Sequence, residues 1–356
     1  MPDQDVAVVI PNWNGEALLP RCLQSIRRHS VGLGVEIVVF DNGSDDGSLA
    51  ILDLARRNLD LRVLRSAQNL GFAAACNAAV KAAVAPLILL LNNDAELVGD
   101  LRDGVDYLRA NPHVGACQGP MLMRDGRHVD SVGSLLAASG FLRHVGLGST
   151  IGTTPSQMKV FSVKGAAMWL RREALSGASP FDEDAFAYFE ESDLCWRLWL
   201  RGWTVCYDNQ LPTVVHDIGQ TSSRLPRELC QFHSFKNRFR AVLRYTERRT
   251  LLSMFPRHIA WCLVIAAGLA IQGHPRQSVA AMRGLIWNAR RASLIVQERR
   301  RIRAARAISD QELFAQVGTT LSLRDLRRQT AQGDDAEMRA RAALLTTEQT
   351  RADSYP

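Results

Sequence analysis

LILLLNNDAEL, residues 87–97, runs an apolar stretch into two amides and a carboxylate, Asn92, Asn93 and Asp94. The apolar part reads as a strand. Its polar end has a plain reading as a turn, because Asn and Asp are common turn formers. A metal or phosphate site is the sharper reading, and the surrounding chain decides between them.

Three more strand-like runs lie upstream: VAVVI (6–10), EIVVF (36–40) and LRVLR (61–65). Each leads into a segment with helical spacing: Leu19, Cys22, Leu23 and Ile26, then Leu49, Leu52 and Ala55, then an Ala-rich stretch near 72–84. A further helix is expected from about 99 to 110, stopped by Asn111 and Pro112. Such alternation predicts a mainly parallel sheet covered on both faces. Ligands of such sheets bind beyond the carboxyl ends of the strands. The clusters PNWNG (11–15), DNGSDDGS (41–48) and NNDAE (92–96) then open on one rim, which favours a site over three unrelated turns.

The alternation breaks after residue 120. Residues 124–157, rich in Gly, Ser and Thr, read as loops or short antiparallel strands, and 160–175 as a strand, a turn and a short helix. FDEDAFAYFEESDLCWRLWLRGW (181–203) holds a helix with Leu194, Cys195, Leu198 and Trp199 on one face, and TVVH (213–216) is a last short strand. Beyond it the chain is helical and basic. The run WCLVIAAGLAI (261–271) is shorter than the ~20 residues a spanning helix needs.

The 356 residues suffice for one large domain with appendages, or for two domains. The seven cysteines form no C-x-x-C pair, which points to reduced thiols in a cytoplasmic setting. The N-terminus does not read as a signal peptide. The net charge of +7 is uneven: between Arg224 and Arg306 stand eighteen Arg or Lys against three Glu. A block of that kind attracts polyanions.

No G-x-G-x-x-G or G-x-x-x-x-G-K-[ST] is present, so a dinucleotide oxidoreductase or P-loop enzyme is not expected. Nucleotide phosphates would then need a cation, and Asp94 beside amide oxygens suits Mg²⁺ or Mn²⁺. His216, at a strand end, is a second candidate ligand if it returns to the same rim. Glu190, Glu191 and Asp193 sit at a helix start. The macrodipole alone favours acidic residues there, and a general base needs the same placement. Composition leaves both readings open.

In order, VVIPNWNG, VVFDNGSDDGS, NLGFAAACNAAV, LLLNNDAEL, GAAMWLRREAL, FDEDAFAYFEESDLCWR and VVHDIGQTSS resemble the inverting family 2 glycosyltransferases. The similarity spans about residues 5–245 and is greatest to a bacterial rhamnosyltransferase-like branch. It implies an α/β GT-A fold, Rossmann-like with a mainly parallel sheet, and a basic helical C-terminal extension. The implied catalytic domain is 1–222, with a donor half of about 1–120 and an acceptor half of about 121–222. A basic amphipathic region (223–328) and a polar tail (329–356) follow. The resemblance assigns donor binding to Pro11, Asn12, Asn14, Asp41, Asn69, Gly71, Asn77, Asn92 and Asn93, with Phe72 beside the donor. It assigns the metal to Asp94 and His216, and the base to Glu191, with Glu190 and Asp193 as further carboxylates.

It further implies a UDP- or dTDP-sugar donor, a glycan or lipid-linked acceptor, and cell-surface polysaccharide synthesis at the inner face of the cytoplasmic membrane. The basic helices would lie on that membrane, or cap the catalytic domain with Arg on the wet side. No motif for nucleic acid accompanies the charge. Two other classes remain at this stage: a catalytically inactive nucleotide-sugar-binding protein and a membrane-surface scaffold.

Overall fold

A computed structural model describes residues 4–218, 225–325 and 328–329. The GQTSS part of the last motif (219–223) lies outside them, as do the expected domain boundary at 222/223 and most of the polar tail.

The first half follows the alternation: β1 (Val6–Asn12), α1 (Leu19–Arg28), β2 (Val35–Asn42), α2 (Ser48–Ala55), β3 (Leu61–Ser66), α3 (Phe72–Ala82) and β4 (Leu87–Leu91). Next come β5 (Ala95–Leu97), α4 (Leu101–Ala110) and β6 (Val114–Gln118). Asp100 caps α4 through its side chain, which accepts from the Arg102 N–H. Short strands then replace the long ones: β7 (Met121–Met123), β8 (Val129–Ser131), β9 (Ser134–Ala137), β10 (Leu142–His144), β11 (Gln157–Lys159) and β12 (Ala167–Arg171). Then come α5 (Glu190–Leu200), β13 (Thr204–Asp208) and β14 (Val214–His216). The helices α6 (Arg227–Tyr245), α7 (Arg248–Ile271), α8 (Pro275–Ala289), α9 (Ala292–Ala304) and α10 (Asp310–Val317) and the strand β15 (Gly318–Thr319) follow.

The main sheet has eight strands in the order β11-β13-β6-β12-β4-β1-β2-β3. β4, β1, β2 and β3 are mutually parallel, and β12 enters antiparallel between β4 and β6. β4 is buried throughout, as its unbroken apolar sequence requires. Helices pack on both faces. Ile10, Leu19, Ile26, Leu89 and Trp169 share one core, and Val9, Leu90, Met168, Trp196 and Trp199 share the other.

A second sheet, β5-β14-β7-β8, stands at the carboxyl rim of the first. Its pairing places His216 opposite Ala95, the residue after Asp94. Local pattern shows its strand β14, read as TVVH, but not the pairing, since the strands have three residues each and reach from residue 95 to 216.

One expectation needs correction. The 261–271 run is not a short apolar segment but the second half of α7, a helix of 24 residues. Leu251, Leu252, Met254 and Phe255 extend its apolar character upstream. By length and composition it is long and apolar enough to cross a membrane, and only 22% of its most apolar window is buried in the protein.

Candidate active site

A cavity of about 320 Å³ opens where β1, β2 and β4 end. Pro11, Asn12, Asn42, Asn92, Asn93 and Asp94 form one wall, and Phe186, Tyr188, Phe189, Glu190 and Glu191 form the facing one.

The first wall is held by a relay of amides. The Asn93 side chain donates to Asn12 Oδ1 at 2.7 Å, and Asn12 donates to Asp41 Oδ1 at 3.0 Å. Asp41 also accepts the Ser44 hydroxyl at 2.6 Å. Three strand ends are thus tied together. Gly15 packs on the relay so closely that a Cβ there would lie 2.1 Å from Asn12 Oδ1. Asn42, unremarked in the sequence, donates to Asn69 Oδ1 and to the Gly71 carbonyl, fixing the entry to α3. Gly71 has φ +89°, and a side chain there would strike Phe186.

Asp94 and His216 meet as the second sheet dictates, with Nε2 and Oδ1 3.4 Å apart. Both are buried. Among the described residues Asn92 Oδ1 and, apart from its ion pair with His216, Asp94 Oδ1 are buried oxygens without a hydrogen-bond partner, and both residues line the cavity. Two bare oxygens and an imidazole nitrogen fit a divalent cation. Behind them the buried Asp130 of β8 accepts from His216 Nδ1 at 2.8 Å and from Lys164 Nζ at 2.6 Å. Burial opposes the imidazolium, but the Asp94 and Asp130 carboxylates hold His216 up to about 9. Asp130 itself stays well below the usual carboxylate range: burial opposes this, and Lys164 and His216 outweigh it. A carboxylate behind a ligating His fixes the ring and its tautomer. Asp130 lies in a Gly/Ser-rich stretch, and nothing local in the sequence marks it.

The facing wall depends on a strained turn. Phe186, Tyr188 and Phe189 all have positive φ, at 62°, 68° and 69°. Non-glycine residues rarely hold this conformation unless surrounding structure enforces it. The enforcement comes from α6, where the Asn237 amide donates to the carbonyls of Ala185, Ala187 and Tyr188 at 3.0, 3.0 and 2.7 Å. The turn delivers Glu190 and Glu191 to the cavity in the first turn of α5. Burial pushes both carboxyls up. At Glu190 the Glu191 charge adds to the rise, and at Glu191 backbone N–H groups and Lys164 oppose it. Replacing Asn237 by Ala should lower turnover about tenfold or more while nucleotide affinity holds, because only the carboxylate wall moves. Steady-state kinetics beside calorimetry checks this split, and an unchanged turnover would show the turn holds without its clamp.

Of the other sequence-derived candidates, Pro11, Asn12, Asn69, Gly71 and Phe72 line the cavity. Asp41 lies beneath the wall, holding Asn12. Asn14 is engaged with Asp45 at 2.6 Å, and Asn77 pins the backbone of Phe181. Asp193 is not brought to the cavity. Its carboxylate accepts from Tyr245 Oη at 2.7 Å and Arg197 Nε at 3.1 Å, so it joins α5 to α6.

The mixed sheet and the solved structures that superimpose on it define the fold as one of GT-A architecture. Residues 7–176 match the family model described as Glycosyl transferase family 2. A mannosyltransferase from Pyrobaculum calidifontis, solved with GDP-Man and Mn²⁺, superimposes with a TM-score of 0.52 at 16% identity, covering 81% of this chain and 87% of that one. S. aureus TarS 1-349, solved with UDP-GlcNAc, gives 0.55 at 15% identity over 96% and 92% of the two chains. At such identities the likeness is one of fold. Among sequence relatives, an uncharacterized protein of Sinorhizobium fredii is 24% identical over 242 residues, 63% of this chain and 26% of its own length. A PGL/p-HBAD biosynthesis glycosyltransferase of Mycobacterium bovis is 35% identical over 92 residues, 26% of this chain and 36% of its own. The matched region thus spans only about a quarter to a third of these relatives.

Proposed function

We propose that this protein is an inverting glycosyltransferase that uses a divalent cation and a pyrimidine nucleoside diphosphate sugar, and that its acceptor is a hydroxyl of a glycan or lipid-linked glycan. The resemblance of the motifs makes rhamnose from dTDP the first sugar to try. The observation that carries the reading is the pairing of two walls: bare oxygens with His216 on one side, two carboxylates on the other.

The acceptor hydroxyl attacks the anomeric carbon, and Glu191 takes its proton as the new C–O bond forms. The bond from that carbon to the diphosphate oxygen breaks on the opposite face, and its electron pair leaves with the nucleotide. Configuration therefore inverts. Asp94 and His216 would hold the cation, with Asn92 Oδ1 beside them, and a bound Mg²⁺ or Mn²⁺ supplies positive charge for the diphosphate. Asp130 keeps His216 turned toward Asp94, and Lys164 adds a cation to the cavity wall. A glycosidase needs a second carboxylic acid to protonate its leaving group, whereas a charge-stabilised diphosphate does not.

Calorimetry of UDP and dTDP with and without Mn²⁺ or Mg²⁺ tests the donor site without knowledge of the acceptor. Metal-dependent binding of either nucleotide is expected. Absence of binding to both overturns the reading.

A further inference from the structure

The C-terminal helices carry a surface that the donor cavity does not use. On α7 the inward stripe is Met254, His258, Cys262 and Ala266, spaced four apart and buried. The outward face is apolar: Leu252 is 74% exposed, Leu263 54%, Val264 49% and Ile271 87%. Between Arg249 and Gln272 only Arg257 carries a full charge. A contiguous apolar face on one helix is more than the scattered exposure usual at a protein surface.

The neighbouring α8 repeats the theme with charge. Its outward stripe reads Arg276, Val279, Arg283, Ile286, Arg290 at alternating steps of three and four, and all five are exposed. None of these three arginines pairs with a carboxylate among the described residues. On α9, Leu294 and Val296 are exposed, as are Arg300, Arg301 and Arg303.

We propose that α7 and α8 form a docking surface for an anionic phospholipid bilayer, with α7 lying in the plane of the interface. Three observations select that occupant. The apolar side chains suit acyl tails, and the bare arginines suit anionic headgroups. A second copy of this chain would bring one arginine stripe against another, and like charges oppose that pairing. The inward stripe is committed to the body, which keeps α7 from spanning. His258 Nδ1 lies 2.8 Å from the Ser139 carbonyl, and its ring stacks on Phe239 at 5.5 Å. At 24 residues the helix lays ~36 Å of its length along the membrane. This surface stands apart from the proposed chemistry, so either reading survives failure of the other.

Sedimentation of the full chain with vesicles tests it. Binding to vesicles containing phosphatidylglycerol is expected, with little to pure phosphatidylcholine, and with loss as salt rises. The double variant Leu263→Gln/Val264→Gln should bind about tenfold more weakly. The triple variant Arg276→Gln/Arg283→Gln/Arg290→Gln should lose the preference for anionic lipid and most of the salt dependence. All five side chains are outward-facing, so circular dichroism should be unchanged in both variants. No binding to anionic vesicles, or equal binding by wild type and both variants, overturns the proposal. So does a concentration-dependent dimer in ultracentrifugation that the Leu263/Val264 variant abolishes, since the face would then belong to a second copy.

Discussion

Glu191→Gln is expected to lower sugar transfer by about 10²–10⁴-fold, the usual contribution of a general base, while nucleotide affinity changes little. Gln keeps the shape of the side chain and its place in the first turn of α5 but cannot accept a proton. The pH profile carries the same information. Burial raises Glu191, so the wild-type rate should begin to fall at a pH above the ordinary glutamate value as acid is added. Stability should move the other way. A carboxyl raised in the folded state binds its proton more tightly there than in the unfolded chain, so its ionisation weakens the fold as pH rises. Glu190, raised by burial and then by the Glu191 charge, has the same sign. Glu190→Gln should therefore raise the melting temperature at pH 7, with the gain shrinking as pH falls toward the ordinary glutamate range. A melting temperature that drops at pH 7 would mean that Glu190 is stabilised by a partner. Full transfer by Glu191→Gln would remove Glu191 from the chemistry and leave Glu190 as the base to test.

Asp94→Ala is expected to remove the difference between nucleotide binding with and without Mn²⁺, and to reduce transfer by about 10³-fold, since charge supplied to a leaving diphosphate is worth several kcal/mol. The contrast with Glu191→Gln separates the two walls: one variant loses metal-linked binding and the other loses only turnover. The variant loses the buried ion pair of Asp94 Oδ1 with His216, but Asp130 still holds the His216 ring, so the fold should stay intact, which circular dichroism checks. Calorimetry of UDP and dTDP reads the binding arm directly. If Asp94→Ala keeps the full metal dependence, the cation is held by other residues and the assignment of this corner falls.

The strand ends were legible because strand and helix periodicities are local. Five apolar residues at 87–91 and the helical spacing through Leu19, Cys22 and Ile26 each fix an element without reference to the rest. The carboxyl-end rule then collects Asn12, Asp41 and Asp94 on one rim. The 219–223 motif lies outside the described residues. Asp193 shows where spacing misleads. It follows Glu190 by three positions, which puts both on neighbouring parts of α5. What turns its carboxylate to structural use is Tyr245, 52 residues later.

By itself, then, the sequence determined the alternating α/β architecture, the rim on which its polar clusters open, and the acidic start of α5. Tertiary structure alone decided the rest. Asp130 reaches His216 only because β8, β7, β14 and β5 pair across 86 residues of chain. The positive-φ turn through Phe186, Tyr188 and Phe189 is held by Asn237, which arrives from another helix to bind its carbonyls. The bare face of α7 is a matter of which stripe its neighbours cover. Periodicity records how a segment can fold, but a hydrogen bond or a buried stripe between distant segments depends on partners that no local window contains.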